Sequence, residues 1–327
     1  MRFFTPLAIN LLAATAASAA VVHRQADCPK AVPAPAPAPV TAPAPVKNDV
    51  KEIVAAAGPN YLISFGDSYS QTGFNVNGAK ANAGNPIGNP PLPGFTASGG
   101  SNWVGFAVTE VNAGELFSYN LAYGGATTAA DIVKPFAADV QSFQDQVNTF
   151  KSKLAGSAPW KADNALVAVW IGVNDVGNTF YGSTTPLYEQ IVTRYFAQLQ
   201  TLYDMGLRNF ALLSTPPIDK TPSVIRGGPN ATGKAAPAIA QYNQLLAKHL
   251  AEFKSSHADV KTWLIDTATA FNKALSNPKQ YGAPDGTCYN SDGKSCLWWN
   301  DYHPGIAIQK LVAEELAATV GAPFFKA

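Results

Sequence analysis

From Tyr61 onward the sequence alternates short apolar runs with longer amphipathic stretches, and no other feature constrains the fold as strongly. The runs 61–65, 119–123, 165–171, 210–214 and 262–265 are each bounded by polar or turn-forming residues. Short apolar runs of this kind predict five strands buried on both faces of a parallel sheet. Between them lie helical stripes with apolar residues every three or four positions. Val140, Phe143, Val147, Phe150 and Leu154 form one; Leu187/Tyr188, Ile191/Val192, Tyr195/Phe196, Leu199 and Leu202/Tyr203 form a second. A third runs through Ile239, Tyr242, Leu245/Leu246, His249/Leu250 and Phe253, and a last from about Ile306 through Leu311, Val312 and Leu316. Strands alternating with helices predict an α/β fold with three layers, α/β/α, a five-stranded parallel sheet and right-handed crossovers. No internal repeat is visible, so 58–327 reads as one domain. The Pro/Gly-rich stretch 84–100 is too long for a simple turn and reads as a loop over the site.

The residues before this domain read differently. Residues 1–20 combine Arg2, a mostly apolar run from Leu7 to Ala17 and the small residues Ser18, Ala19 and Ala20, the pattern of a secretory signal peptide. Residues 21–57 form a Pro/Ala-rich linker, whose alternating prolines favour an extended spacer. No later stretch has the ~18 consecutive apolar residues that would span a membrane. A secreted, extracellular protein is expected. Export suits the three cysteines: Cys288 and Cys296 are expected to close a small loop, leaving Cys28 upstream of the linker. The sequon at Asn230 lies among glycines and Pro229 and is expected in an exposed loop open to glycosylation. With 23 Lys+Arg against 22 Asp+Glu there is no electrostatic footprint for nucleic acid. No Cys or His pattern suggests a metal.

In a fold of this kind, chemistry gathers at the carboxyl ends of the strands. The first run ends in Phe65-Gly66-Asp67-Ser68, which presents Ser68 where a nucleophile needs to be; a Gly-Asp-Ser turn is also a common structural turn. The second run leads into Tyr123-Gly124-Gly125-Ala126-Thr127-Thr128, whose glycines either bring N–H groups to a ligand or serve a tight turn. The third ends in Gly172-Val173-Asn174-Asp175, where the Asn amide can donate without adding charge or can cap a helix. Of four histidines, His23 precedes the linker, His249 belongs to an apolar stripe and His257 ends a helix. That leaves His303, in Trp298-Trp299-Asn300-Asp301-Tyr302-His303-Pro304, as the candidate general base.

These four segments, in this order, resemble the GDSL esterase/lipase family, also called SGNH hydrolases. The resemblance covers essentially Tyr61 to the C-terminus and rests on FGDSYSQTG, NLAYGGATT, IGVND and WWNDYHP. It implies a flavodoxin-like fold and hydrolysis of carboxylic esters without metal or cofactor. It also implies that Ser68 is the nucleophile and first oxyanion donor, Gly125 and Asn174 the other donors, and His303 the base. The family usually carries Asp three residues before the His, whereas here Asn300 holds that position and Asp301 follows it. Three arrangements compete: Asn300 holds the ring through its amide oxygen, Asp301 turns in as the acid, or a main-chain carbonyl accepts the ring N–H. The first and third rank above the second, because residues two and three before the His point differently. In a chymotrypsin-type triad, Asp→Asn lowers turnover about 10⁴-fold.

Among secreted relatives, the GGATT block and the Cys-containing loop before WWN-x-YHP look most like fungal acetylesterases of plant cell-wall carbohydrates. The expected partner is a small ester or an acetylated carbohydrate, handled by a monomer, with Trp103, Trp298 and Trp299 weighed as sugar-stacking or core residues. A lipase or lysophospholipase is the alternative enzyme, and a catalytically weak carbohydrate-binding wall protein the alternative class.

Overall fold

Five strands lie side by side in the order β2-β1-β3-β4-β5, all parallel. They are β1 (Asn60–Gly66), β2 (Leu116–Asn120), β3 (Ala165–Trp170), β4 (Asn209–Leu213) and β5 (Lys261–Ile265). The computed structural model describes residues 58–157, 159–182 and 185–326. The expected signal peptide, linker, His23 and Cys28 lie outside the described residues.

The central strands β1 and β3 are buried along both faces, and alternate side chains feed two cores. Leu62 of β1 and Leu166, Ala168 and Trp170 of β3 join one core with α1 (Trp103–Thr109), α7 (Thr267–Ser276) and α8 (Ile306–Val320). Tyr61, Ile63 and Phe65, with Ala165, Val167 and Val169, join the other. There they meet α2 (Phe143–Lys153) and the later turns of α4 (Thr185–Asp204). The expected layering of sheet between helices is therefore present. Two short helices, α3 (Val173–Thr179) and α5 (Pro222–Arg226), and the long α6 (Gly228–Ser256) complete the set. Local signals mark the starts. Ser142 and Asp145 form a capping box on α2, Asn102 accepts from two N–H groups of α1, and Asp266 caps α7.

Three expectations need correction. The second strand is not 119–123 but Leu116–Asn120. Asn120 donates through Nδ2 to Ser70 O at 2.7 Å and accepts from Ala122 N at 3.1 Å, a local turn that bends the chain out of the sheet. The stretch 84–100 chiefly covers the free edge of β2, where Ser118 N donates to Pro86 O at 2.7 Å and Ile87 is buried. Gly94 and Phe95 pack against Thr72, just beyond the nucleophile turn. Asn230 stands exposed in the first turn of α6, not in a loop. Pro237 sits inside that helix, two residues before the apolar stripe that begins at Ile239.

The strand order places the carboxyl ends of β1 and β3 next to each other, with connections leaving to opposite sides. Ser68 follows the first of these strands and Asn174 the second.

Candidate active site

The nucleophile candidate sits in a turn held by buried amides. Ser70 N and Gln71 N both donate to Asp67 O, and Asn102 Nδ2 bonds Ser70 O and Gln71 O at 2.8 Å each. Gln146 on α2 grips Gly66 at both ends, accepting from its N–H at 3.0 Å and donating to its carbonyl at 2.7 Å. Gln309 on α8 donates to Tyr69 O at 3.1 Å and accepts from Trp103 N at 3.0 Å. Every one of these bonds is made by a buried or half-buried group, where an unpaired partner is costly. Ser68 is thereby fixed, with 9% of its surface exposed.

Across the site, Nε2 of His303 lies 2.7 Å from Ser68 Oγ. On the other side of the ring, Nδ1 lies 2.9 Å from Asn300 Oδ1. With the ring N–H on Nδ1 donating to that oxygen, Nε2 keeps a lone pair facing the hydroxyl, the tautomer a base requires. The same oxygen also accepts from the N–H groups of Tyr302, at 2.9 Å, and His303, at 2.7 Å. Asp301 is not brought to the ring: its carboxylate pairs with Arg226 at 3.2 Å, and its carbonyl accepts from Ser223 N on α5. The turn that closes Asn300 onto the main chain of residues 302 and 303 leaves the intervening side chain facing outward. Among the described residues the Nδ1 side of the ring meets Asn300 Oδ1 rather than a main-chain carbonyl, so of the three arrangements the structure contains the one through Asn300.

The other two segments are tied to each other. Gly125 has φ +79°, a left-handed conformation suited to glycine, and a Cβ there would fall 2.4 Å from Phe136 Cβ. Asn174, at the start of α3, donates from Nδ2 to Ala126 O at 2.8 Å, which leaves one amide hydrogen for another acceptor. Asp175 accepts from Thr128 N, at 3.1 and 3.0 Å through its two oxygens, and from Thr128 Oγ1 at 3.2 Å. The turn after the second strand and the turn after the third thus form one unit.

Tyr69 and Tyr302, which sequence reasoning passed over, cross-brace all of these pieces. Tyr69 Oη donates to Tyr302 O at 2.5 Å, and Tyr302 Oη donates to Val173 O at 3.0 Å. Burial raises both phenols above the ordinary tyrosine range, so each is a donor throughout the working pH range.

Electrostatically the site holds few charges. Burial pushes the His303 ring down to about 4, opposed by the charge of Asp301, so the imidazole is neutral at ordinary pH. Burial pushes Asp67 up to about 8, against the hydrogen bond from Tyr69 N and with a further push from Asp175, and raises Asp175 to about 7. Two buried carboxyls thus sit close by without adding full negative charge where an oxyanion would form. Among the described residues, no group of three or more His, Cys, Asp or Glu is disposed to hold a metal ion.

The remaining candidates fall elsewhere. Cys288 and Cys296 are disulfide-bonded, just before the His303 loop. Trp103 and Trp298 are fully buried core residues, while Trp299 is half-buried with its ring 5.9 Å from that of His303. His249 is not wholly enclosed: it lies between α6 and α4, where Nε2 meets Glu189 at 3.0 Å. His257 caps its helix, with Nδ1 2.8 Å from Phe253 O.

The chain is similar to known proteins of one family. The GDSL-like Lipase/Acylhydrolase family matches residues 62–316. An acetylesterase of Thermothelomyces thermophilus is 56% identical over 270 residues, covering 81% of this chain and 89% of that protein. An acetylesterase of Hypocrea jecorina is 30% identical over 174 residues, 49% of each chain. Among solved structures, a GDSL-like lipase from Parabacteroides merdae superposes with a TM-score of 0.50 at 15% identity, over 80% of this chain and 95% of that one.

Proposed function

The chain belongs to the GDSL-like lipase/acylhydrolase family, and from that membership we propose a serine esterase that removes acetyl groups from carbohydrates. It is a carboxylic ester hydrolase, and its similarity to fungal acetylesterases points to the acetyl ester. The observation that carries the proposed chemistry is the 2.7 Å separation between Ser68 Oγ and His303 Nε2. That distance lies in the range for proton transfer to a general base.

In the proposed reaction Ser68 Oγ attacks the ester carbonyl carbon while His303 Nε2 takes its proton. The carbonyl oxygen, now an oxyanion, accepts from the main-chain N–H groups of Ser68 and Gly125 and from the free amide hydrogen of Asn174. His303 then gives its proton to the leaving alcohol, and the acetyl group remains on Ser68. Water, deprotonated by His303, attacks the acyl-enzyme; the intermediate collapses, acetate leaves and the proton returns to Ser68. Asn300 holds the ring in the correct tautomer throughout, making this a Ser–His dyad with an amide support rather than a triad with an acid.

We further propose that the enzyme is secreted and acts as a monomer. The disulfide suits an oxidising compartment, and all the proposed catalytic groups come from one chain. Export would also expose the Asn230 sequon to glycosylation before α6 forms. No helix among the described residues is long and apolar enough to cross a membrane.

The test compares release of acetate with release of longer fatty acids from matched esters, before and after phosphonate labelling. Acetate release that ceases when Ser68 is labelled is expected. Faster release of long-chain acids would make the enzyme a lipase, and labelling at another residue would overturn the assignment of Ser68.

A further inference from the structure

A cavity of about 510 Å³, lined among others by Gln71, Phe95, Tyr123 and Gln141, is not used by the reaction above. Its size falls within the roughly 300–1,000 Å³ of small-molecule sites. Gln71 connects it to the catalytic turn: its N–H bonds Asp67 O, and its Oε1 lies 2.4 Å from where a Cβ on Gly124 would stand. Tyr123, which bonds Gly66 O through its N–H at 3.1 Å, lines the cavity two residues before Gly125. The cavity's wall is therefore joined to the nucleophile turn through Gln71 and to the segment of Gly125 through Tyr123.

Phe95 is the unusual member. Its side chain is among the most exposed large apolar groups of the described residues, at 71%, yet it is not loosely held. Its N–H bonds Thr72 O at 2.9 Å, and its ring lies so close over Gly73 that a Cβ there would fall 2.8 Å from Phe95 Cδ2. An exposed ring held in place by its neighbours is a ready surface for a ligand to pack on. Tyr123 is likewise 40% exposed. Around these rings stand the carboxamides of Gln71 and Gln141, and no lining residue carries a charge.

Aromatic faces with neutral amides, and no cation or carboxylate, suit a ligand with C–H faces and hydroxyl groups. A ring face is electron-rich and attracts the weakly positive C–H edges of a sugar, while carboxamides both donate to and accept from hydroxyls. A fatty acyl chain would cover those amides without bonding them. We propose that this cavity is the binding subsite for a neutral sugar unit of the acetylated carbohydrate, with Phe95 and Tyr123 as its platforms. The proposal rests on the ester-hydrolase reading and assigns the part of the substrate beyond the ester.

The test uses two readouts. Xylotriose is titrated into the Ser68→Ala protein with and without Phe95→Ala or Tyr123→Ala, and binding is expected to weaken about 5-fold or more with either aromatic removed. In the Ser68-intact enzyme, the same two substitutions are expected to lower kcat/KM for acetylated xylotriose by a similar factor. Activity on 4-nitrophenyl acetate, which carries no sugar, is expected to stay within about 2-fold. Unchanged xylotriose binding, an equal loss on both esters, or a loss confined to long-chain acyl esters would overturn the proposal. If the wild type cleaved neither acetate ester, the hydrolase reading would fail instead, and the titration, which needs no turnover, would still decide the subsite.

Discussion

Asn300 and His303 meet through a single oxygen that does three tasks: Oδ1 accepts from the ring Nδ1 at 2.9 Å and from the main-chain N–H groups of Tyr302 and His303. An amide side chain therefore stands where the family usually places a carboxylate, and it shapes the turn as well as orienting the ring. Asp301, one residue later, faces Arg226 instead.

Replacing each neighbour separately distinguishes them. Asn300→Ala is expected to lower kcat by about 10²-fold or more, since the ring loses its tautomer and its turn. Asp301→Ala is expected to change kcat by less than about 3-fold, because an exposed ion pair contributes only ~0–1 kcal/mol. Steady-state kinetics of both variants on 4-nitrophenyl acetate provide the check, and a collapse confined to Asp301→Ala would assign the acid to that residue.

The acid limb of the rate profile follows from burial of the imidazole. The base works only when neutral, and with its ring held down to about 4 the enzyme is expected to keep activity well below pH 6 and lose it near pH 4. Asn300→Asp places a carboxylate beside Nδ1, favours the charged ring, and is expected to raise that limb by about 1 unit or more. A kcat/KM profile from pH 3 to 9 measures both; a wild-type midpoint at the ordinary histidine value would contradict the burial effect.

Asn174→Ala removes one preorganised donor to the oxyanion. The expected result is a fall in kcat of about 10²–10³-fold with KM nearly unchanged, because the bond strengthens only as charge develops. A rise in KM at constant kcat would instead make Asn174 a substrate-binding residue.

The buried carboxyls give a stability prediction with a defined window. Asp67 and Asp175 keep their protons in the folded state up to about 8 and about 7, far above the ordinary value of 3.8. Between those limits the folded protein binds more protons than the unfolded chain, so these two groups make stability fall as pH rises. His303, with its lowered ring, has the opposite slope, but only below its unfolded value of about 6.5. Of these three groups only the carboxyls still act between pH 6.5 and 8, and Tm is expected to decline there. Asp67→Asn keeps an oxygen for the Tyr69 N–H and is expected to flatten part of that decline. Calorimetry across the window tests it; equal slopes in variant and wild type would mean Asp67 is ionised when folded.

Much of this architecture was legible in the sequence because its signals are local. Five apolar runs gave the five strands, with the second displaced because Asn120 turns the chain early. Ser68, Gly125 and Asn174 all follow places where an apolar run breaks into turn residues, which is where a parallel sheet exposes its loops, and His303 stands out only by elimination among four histidines. The supports were hidden for the same reason. Gln146 sits in the stripe of Val147 and Phe150, and Gln309 among the apolar residues of α8, and nothing local reveals that each faces the nucleophile turn. Tyr69 and Tyr302 read as ordinary aromatics until their hydroxyls are seen to reach main-chain carbonyls of other loops. The choice between Asn300 and Asp301 needed the path of the backbone through residues 300–303.

The clamp from Tyr69 through Tyr302 to Val173 has a consequence for redesign. Reacting groups 235 residues apart in the chain are aligned through the Tyr69–Tyr302–Val173 bonds, whereas the exposed side chains of Phe95 and Tyr123 belong to a wall that meets the nucleophile turn through Gln71 and the main chain of Tyr123. A protein engineer can therefore recut the outer wall to admit bulkier alcohols while the proton relay behind it stays in tune.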